Sequence, residues 1–301
     1  FITAVEKEYR DIVELDGAPH RITQAELDRV TSHFVVPELK PANLPSKVDP
    51  QGQLYQRWLA QNVRGHRLTG MKTVTLSFKR LGFAPGDADA DTLDALAQLA
   101  EQFSASEARL THEQNLLLPW VFESDLPALY EAARKLGLAQ PNIGLLTDMI
   151  ACPGGDFCSL ANARSLHIAE AVTERYQDLD ELFDLGPIDL HMSGCINSCG
   201  HHHSGHIGIL GVDKDGKEWY QITLGGADGS QLSGPAIGGK VVGPSFTAAE
   251  VPGVIEAILD TYRALRQPGE LFIDALRRIG HDPFKQAANA ARHAKAEEAV
   301  H

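Results

Sequence analysis

The four cysteines of the chain fall in two close pairs. Five residues separate Cys152 from Cys158, three separate Cys195 from Cys199, and 36 residues lie between the pairs. Glycines flank both pairs, and they allow the backbone to turn closely around an inorganic core and to direct N–H groups at it. A [4Fe–4S] cluster needs four thiolates, one for each iron. The spacing therefore predicts a cluster site.

Two other interpretations of the cysteines remain open at this level. A structural zinc site usually has two to four residues inside each ligand pair, and the five-residue gap of the first pair departs from that pattern. Buried cysteines without a metal are the other alternative. A disulfide scaffold is not expected, because four cysteines in 301 residues are too few. Metal analysis for iron against zinc would separate a cluster from a zinc-stapled binding module.

Composition narrows the class of protein. The chain has 301 residues, 43% hydrophobic residues and a formal net charge of −13, which is typical of a globular protein of about two domains. The acidic balance argues against a nucleic-acid partner, and no apolar run is long enough to cross a membrane. The start at Phe1 shows neither an initiator methionine nor a signal peptide. We therefore expect a cytoplasmic protein, and a chain that is either processed or the later part of a longer one.

The residues before the cysteines predict an arm followed by a ferredoxin-like segment. Residues 1–50 predict a helical arm, with a capping box at Thr23 and Glu26, and then a Pro-rich linker. Residues 51–141 predict the order β-α-β-β-α of a ferredoxin-like half domain. Ser124 is expected to cap the last of its helices. The predicted elements are a helix over 54–63, strands over 71–78, 108–111 and 115–121, and helices over 91–103 and 126–136.

Residues 142–301 form the predicted cluster domain. A helix over 159–176 is expected to start at Cys158, and a hairpin is expected to turn at Asp215 and Gly216. The last twenty residues predict a loose tail. The other predicted elements are strands over 189–193, 207–212 and 219–224 and helices over 251–265 and 270–279.

The two cysteine segments carry a resemblance to a known family. TDMIACPGGDFCSLA over 147–161 and SGCINSCGHHH over 193–203 closely resemble the sirohaem-dependent nitrite/sulfite reductases. The resemblance runs from about Thr23 to Phe284. Within the family, the chain is most similar in sequence to the assimilatory sulfite reductase haemoproteins of proteobacteria. The resemblance implies an α+β fold, with a ferredoxin-like half-repeat followed by a mixed α/β iron–sulfur/sirohaem domain. The implied activity is the six-electron reduction of sulfite to sulfide in sulfur assimilation, with nitrite reduction to ammonium as the alternative.

The resemblance also implies roles for individual residues. It makes Cys199 the axial bridge between the cluster and the sirohaem iron, and it places Asn197 where an asparagine would hydrogen-bond near the cofactors. A turn residue that stabilises its own backbone is the alternative for Asn197. The implied ligands of the [4Fe–4S] cluster are Cys152, Cys158, Cys195 and Cys199.

The family is built from two related halves, and this chain resembles the second. The Arg and Lys residues that hold the substrate and the sirohaem carboxylates belong mainly to the first half, which is therefore an expected partner. In this chain His112 and Glu113 stand where the first half would place a substrate-facing Arg. Neither Arg109 nor His112 is thus expected to be catalytic, and the catalytic residues of this chain are unknown.

Four histidines follow the last cysteine, and the electron donor is expected to be a separate protein. The histidines are candidates for proton delivery, because His titrates near neutrality, or for packing against the missing half. No dinucleotide-binding motif lies between a strand and a helix, so electrons are expected from a ferredoxin or a flavoprotein. A pure electron-transfer iron–sulfur protein is the alternative of another class, and the visible spectrum of sirohaem would exclude it. The histidines are His201, His202, His203 and His206.

Overall fold

The computed structural model describes residues 1–17, 20–41, 52–229, 234, 236 and 239–298, with side chains through residue 292. The chain divides into two compact units, residues 1–40 and 41–301. In the first unit, the hydroxyl of Thr23 accepts a hydrogen bond from the N–H of Glu26 at 3.2 Å, which confirms the predicted N-cap. Most of the predicted Pro-rich linker lies outside the described residues. The helices of this unit are α1 (Ile2–Asp16), which the sequence analysis missed, and α2 (Gln24–Thr31).

The second unit begins with a four-stranded antiparallel sheet in the order β1-β2-β4-β3. Helices pack on this sheet around a core that includes the fully buried Trp58, Leu118 and Leu129. The elements are α3 (Gln53–Asn62), β1 (Val63–Gly65), β2 (Met71–Leu76), α4 (Ala90–Phe103), β3 (Arg109–Leu110), β4 (Leu116–Phe122) and α5 (Leu126–Lys135). The expectation for Ser124 was wrong: it lies in a short 3₁₀ turn, and Pro127 lacks the N–H that its hydroxyl would cap.

A five-stranded sheet in the order β5-β6-β7-β8-β9 follows in the same unit. Its first three strands are parallel and the others antiparallel. The predicted hairpin between β7 and β8 is confirmed, with Asp215 at φ 55° and Gly216 at φ 75°. The elements are β5 (Ile150–Ala151), α6 (Leu166–Arg175), α7 (Leu179–Leu185), β6 (Leu190–Ser193), β7 (Ile207–Lys214), β8 (Lys217–Leu224), β9 (Lys240–Val241), α8 (Val251–Leu265), α9 (Phe272–Ile279) and α10 (Asp282–Glu298).

Two predictions for this part of the chain were wrong. The helix expected to start at Cys158 begins only at Leu166, because the preceding backbone is bound elsewhere: the N–H groups of Asn162 and Ala163 donate to the carbonyl of Gly194 at 2.9 and 3.1 Å. The expected loose tail is instead helical as far as residue 298. Phe284 is fully buried in the main core, so this helix is anchored by apolar packing.

Candidate cluster and cofactor site

Two neighbouring parallel strands bring the cysteine pairs together. In the register of β5 and β6, Ala151 lies opposite Met192. Cys152 follows β5 directly, and its N–H donates to the carbonyl of Met192 at 3.0 Å. Cys195 follows β6 after one glycine. Because the carboxyl ends of parallel strands lie at one edge of a sheet, segments that are 36 residues apart in sequence begin side by side.

Glycine allows the two segments to touch through their backbones. A Cβ on Gly194 would lie 2.6 Å from the Cα of Gly154 and 2.7 Å from the carbonyl oxygen of Ala163. Gly154 also adopts φ +60°, a conformation that favours glycine. The N–H of Gly155 donates to the same Ala163 carbonyl at 3.0 Å. Side chains at these glycines would therefore force the two cysteine segments apart.

The four thiols are free and differ in exposure. Cys152 and Cys195 are buried, Cys158 is half-buried and Cys199 is exposed. The N–H of Gly154 donates to the sulfur of Cys152 at 3.4 Å. The sulfurs of Cys152 and Cys195 are therefore covered by the protein, whereas that of Cys199 is available to a second group.

The donor set offered by the two adjacent segments consists of four cysteine thiols, the ligands that a [4Fe–4S] cluster takes. In the part of the chain that the structure describes, no three His, Cys, Asp or Glu side chains are close enough to hold one metal ion. A cubane binds each thiolate to a different iron, so its ligands are spread more widely. Ligation of a cluster by all four cysteines stays a prediction.

Large apolar side chains next to the cysteines are exposed. Phe157, Leu160 and Ile196, here called the apolar rim, are 83%, 71% and 78% exposed. Asn197 is also exposed, and its side chain makes no hydrogen bond to another described residue. Its expected role near the cofactors therefore stays a prediction. Exposed apolar side chains beside candidate ligands are a reason to look for a protein part or a ligand that covers them.

The histidines after Cys199 separate into buried and exposed members. His201 and His203 are exposed. Burial lowers the pKa of His202 and that of His206 to about 4 each. The Nδ1 of His202 lies 3.2 Å from the hydroxyl of Ser198, between the last two cysteines. The two buried imidazoles are thus neutral at pH 7, which does not favour them as proton donors.

A buried polar network joins the ferredoxin-like segment to the cluster domain, and the sequence analysis missed it. The Nζ of Lys79 lies 3.3 Å from Asp148, with side chains only 1% and 5% exposed. Lys79 also donates to the carbonyl of Glu113 at 2.5 Å. Asp148 accepts from the amide of Asn115 at 2.8 Å and from the N–H of Gly144 at 2.9 Å. Burial raises the pKa of Asp148, and Lys79 and Asn115 oppose that shift.

A cavity of about 580 Å³ lies beside this network. Among the described residues, one arginine and four carboxylates line it, which makes it unsuited to an anionic substrate. Burial raises the pKa of one of them, Asp189, to about 6. His112, at the cavity wall, lies 3.1 Å from Glu113, and Arg109 is exposed and paired with Glu107. That Arg109 and His112 are not catalytic stays a prediction.

Comparison with known families decides the assignment. Residues 71–136 match the Nitrite/Sulfite reductase ferredoxin-like half domain, and residues 145–295 match the Nitrite and sulphite reductase 4Fe-4S domain. The second match alone spans half of the chain. The chain belongs to the nitrite and sulfite reductase family. The cofactors of this family are a [4Fe–4S] cluster and sirohaem, and its α+β fold is the one predicted from the sequence.

Individual relatives of this nitrite/sulfite reductase chain include enzymes for both substrates. A chloroplastic ferredoxin–nitrite reductase of Betula pendula is 33% identical over 60% of this chain and 31% of its own length. Sulfite reductase [ferredoxin] 1 of Mycolicibacterium paratuberculosis is 30% identical over 67% of this chain and 38% of its own length. The chain thus spans about a third of the curated relatives that it matches. Among the described residues, no helix is long and apolar enough to cross a bilayer.

Two solved structures share the fold. The NirA protein of Mycobacterium tuberculosis superposes with a TM-score of 0.59 at 24% identity, over 82% of this chain and 43% of that protein. Dissimilatory sulfite reductase I superposes with a TM-score of 0.61 at 13% identity, over 92% of this chain and 89% of that one.

Proposed function

We propose that this nitrite/sulfite reductase chain supplies the [4Fe–4S]-binding part of an enzyme that reduces sulfite to sulfide with six electrons. The observation that carries the proposal is the meeting of both cysteine segments at the carboxyl ends of β5 and β6. When bound, the cluster supplies single electrons to the sirohaem, where the anion is reduced. In this proposal the cluster would be held by Cys152, Cys158, Cys195 and Cys199, and Cys199 would also link it to the sirohaem iron.

The exposure of Cys199 supports its role as the bridge, because a shared ligand must face the second cofactor. The test compares Cys199→Ser with Cys152→Ser in the full-length holoenzyme. We expect the Cys199 variant to lose more of the electronic coupling between cluster and sirohaem, seen in the visible and electron paramagnetic resonance spectra. Equal spectra and equal sulfite turnover in the two variants would overturn this assignment. Absence of the red sirohaem bands in the wild type would favour a pure electron-transfer protein.

Sulfite is the proposed substrate, with nitrite as the second candidate. The matches to sulfite reductases [ferredoxin] 1 and 2 of Mycolicibacterium paratuberculosis span 67% and 72% of this chain. The chloroplastic nitrite reductase of Betula pendula covers only 60%, although its identity is higher. Comparison of kcat/KM for sulfite and nitrite, with a reduced dye or a ferredoxin as donor, tests the choice. A larger kcat/KM for nitrite would reverse it.

Another part of the enzyme supplies the cations in this proposal. Sirohaem is a polycarboxylate, and its substrate is an anion, so both need Arg and Lys nearby. Residues 142–247 contain five cationic and thirteen acidic residues. We infer that the first half of the enzyme brings the missing Arg and Lys residues and covers the apolar rim. Expression of residues 1–301 with sirohaem should give little bound haem, and stoichiometric haem with normal turnover would contradict the inference.

A further inference from the structure

One side chain of the ferredoxin-like segment completes the strand that leads to Cys152. The loop between β3 and β4 carries Gln114, whose Nε2 donates to the carbonyl of Ala151 at 2.9 Å. The N–H of Ala151 donates back to the Oε1 of Gln114, also at 2.9 Å. The carboxamide therefore pairs with Ala151 as the backbone of a neighbouring strand would. Ala151 immediately precedes Cys152 in the chain.

This pairing satisfies backbone groups that the sheet leaves open. β5 is an edge strand of only two residues, and it pairs with β6 on one side. On that side the N–H of Cys152 donates to Met192. Ala151 points its N–H and carbonyl to the other side, and it is only 1% exposed. Buried backbone groups without partners are strongly unfavourable, so the Gln114 amide replaces a missing strand.

The loop is built to hold Gln114 in place. Its backbone adopts φ 59°, which is uncommon for a residue with a side chain. Its N–H donates to the carbonyl of Thr111 at 3.1 Å. Gly86 packs against it so closely that a Cβ there would lie 2.8 Å from the Cβ of Gln114. Unfavourable backbone conformations persist where the surrounding structure enforces them, and they concentrate at functional sites.

We propose that Gln114 is a positioning residue for Cys152. It fixes the backbone of Ala151 and so holds the Cys152 thiol at the strand end where the second cysteine segment meets it. This inference rests on the proposed function, because it takes Cys152 to be a cluster ligand. Without the carboxamide, the edge of β5 opens more often, and the cluster becomes easier to attack and changes its electronic environment.

The test measures the cluster directly in the full-length holoenzyme. Gln114→Ala removes both hydrogen bonds, whereas Gln114→Glu keeps the size and the acceptor for the Ala151 N–H. Gln102→Ala is the matched control, since Gln102 is an exposed glutamine of the same segment. We measure iron and acid-labile sulfide per chain, the rate of iron loss to a chelator without oxygen, and the reduction potential of the cluster.

We expect Gln114→Ala to lose iron about tenfold faster than the wild type, in line with the loss of two buried hydrogen bonds. Gln114→Glu should lie between the two, and Gln102→Ala should match the wild type. The reduction potential should move in Gln114→Ala and stay unchanged in the control, which a purely structural role would not produce.

Gly86→Ala perturbs the same contact without changing Gln114 itself, because the new Cβ displaces Gln114. It should speed iron loss relative to the wild type, as Gln114→Ala does. Iron loss and potential in Gln114→Ala equal to those of the wild type would refute the inference. A wild-type holoenzyme without iron and sulfide would instead refute the proposed function on which it rests.

Discussion

Lys79→Met is the substitution whose effect the structure defines most sharply. Lys79 and Asp148 form a buried ion pair between the ferredoxin-like segment and the residues that lead into β5. Methionine keeps the length and the apolar stem of the lysine but removes the ammonium. The substitution therefore leaves a buried carboxylate without its counter-charge.

The expected loss in the free energy of unfolding depends on the hydrogen bonds that Asp148 retains. Removal of one partner from a buried pair costs about 3–5 kcal/mol. Asp148 retains hydrogen bonds from Asn115 and Gly144, so we expect a loss of about 3 kcal/mol in the free energy of unfolding. The double variant Lys79→Met with Asp148→Asn carries no buried charge, and it should recover to within about 2 kcal/mol of the wild type.

The pH dependence gives a second signature. Burial already raises the pKa of Asp148, and loss of Lys79 raises it further. A carboxyl group with a raised pKa in the folded state favours folding when it is protonated. Its unfavourable effect therefore grows as the pH rises and shrinks as the pH falls. The loss caused by Lys79→Met should be smaller in mildly acidic buffer than in alkaline buffer.

Denaturant unfolding of the holoprotein without oxygen measures these differences. Lys72→Met is the control, because Lys72 forms a more exposed pair with Glu123 in the same segment, and such pairs contribute about 1 kcal/mol or less. Lys79→Met as stable as this control would refute the reasoning, as would a double variant less stable than the single one.

Three further outcomes are expected. Gly200→Ala should prevent cluster incorporation, because a Cβ there overlaps the carbonyl of Met192. Gly65→Ala, with open space around it, should bind iron like the wild type. Equal iron content in the two variants would contradict this prediction. Asp189→Asn should remove a loss of stability of up to about 3 kcal/mol that the wild type shows as the pH rises from about 4 to 6, measured by unfolding across that range. Phe284→Ala should cost about 3–5 kcal/mol in the same assay, and a smaller loss would show that α10 is not anchored in the core.

Elements with a regular pattern were predictable from the sequence. The helix predicted over 251–265 has the same bounds as α8, because its apolar residues recur at helical spacing and pack against the core. The strand over 71–78 was found from its alternation, whereas β1, with three residues, is too short to carry such a signal.

Contacts between distant segments were not predictable. The stretch before Leu166 follows a helical pattern, but its N–H groups are used by Gly194, more than thirty residues along the chain. Gln114 looks like an ordinary polar turn residue until its loop meets β5. Lys79 gives one weak signal, a lysine directly after an apolar alternating strand, but nothing local identifies Asp148 as its partner. Local sequence indicates an element, whereas only the fold indicates which element it meets.

The cysteines differ in the backbone that holds them, and this difference bears on how two cofactors would share one site. Cys152 and Cys195 are buried at the ends of β5 and β6, where strand pairing fixes the backbone. Cys199 lies exposed in a loop, next to residues at positive φ such as Ser198. A cluster held on these ligands would be anchored to the sheet on one side and open on the other. Exposed apolar side chains flank the open side, and the domain around it is acidic. If the proposed function holds, we therefore expect the part that completes the site to bring both apolar surface and positive charge.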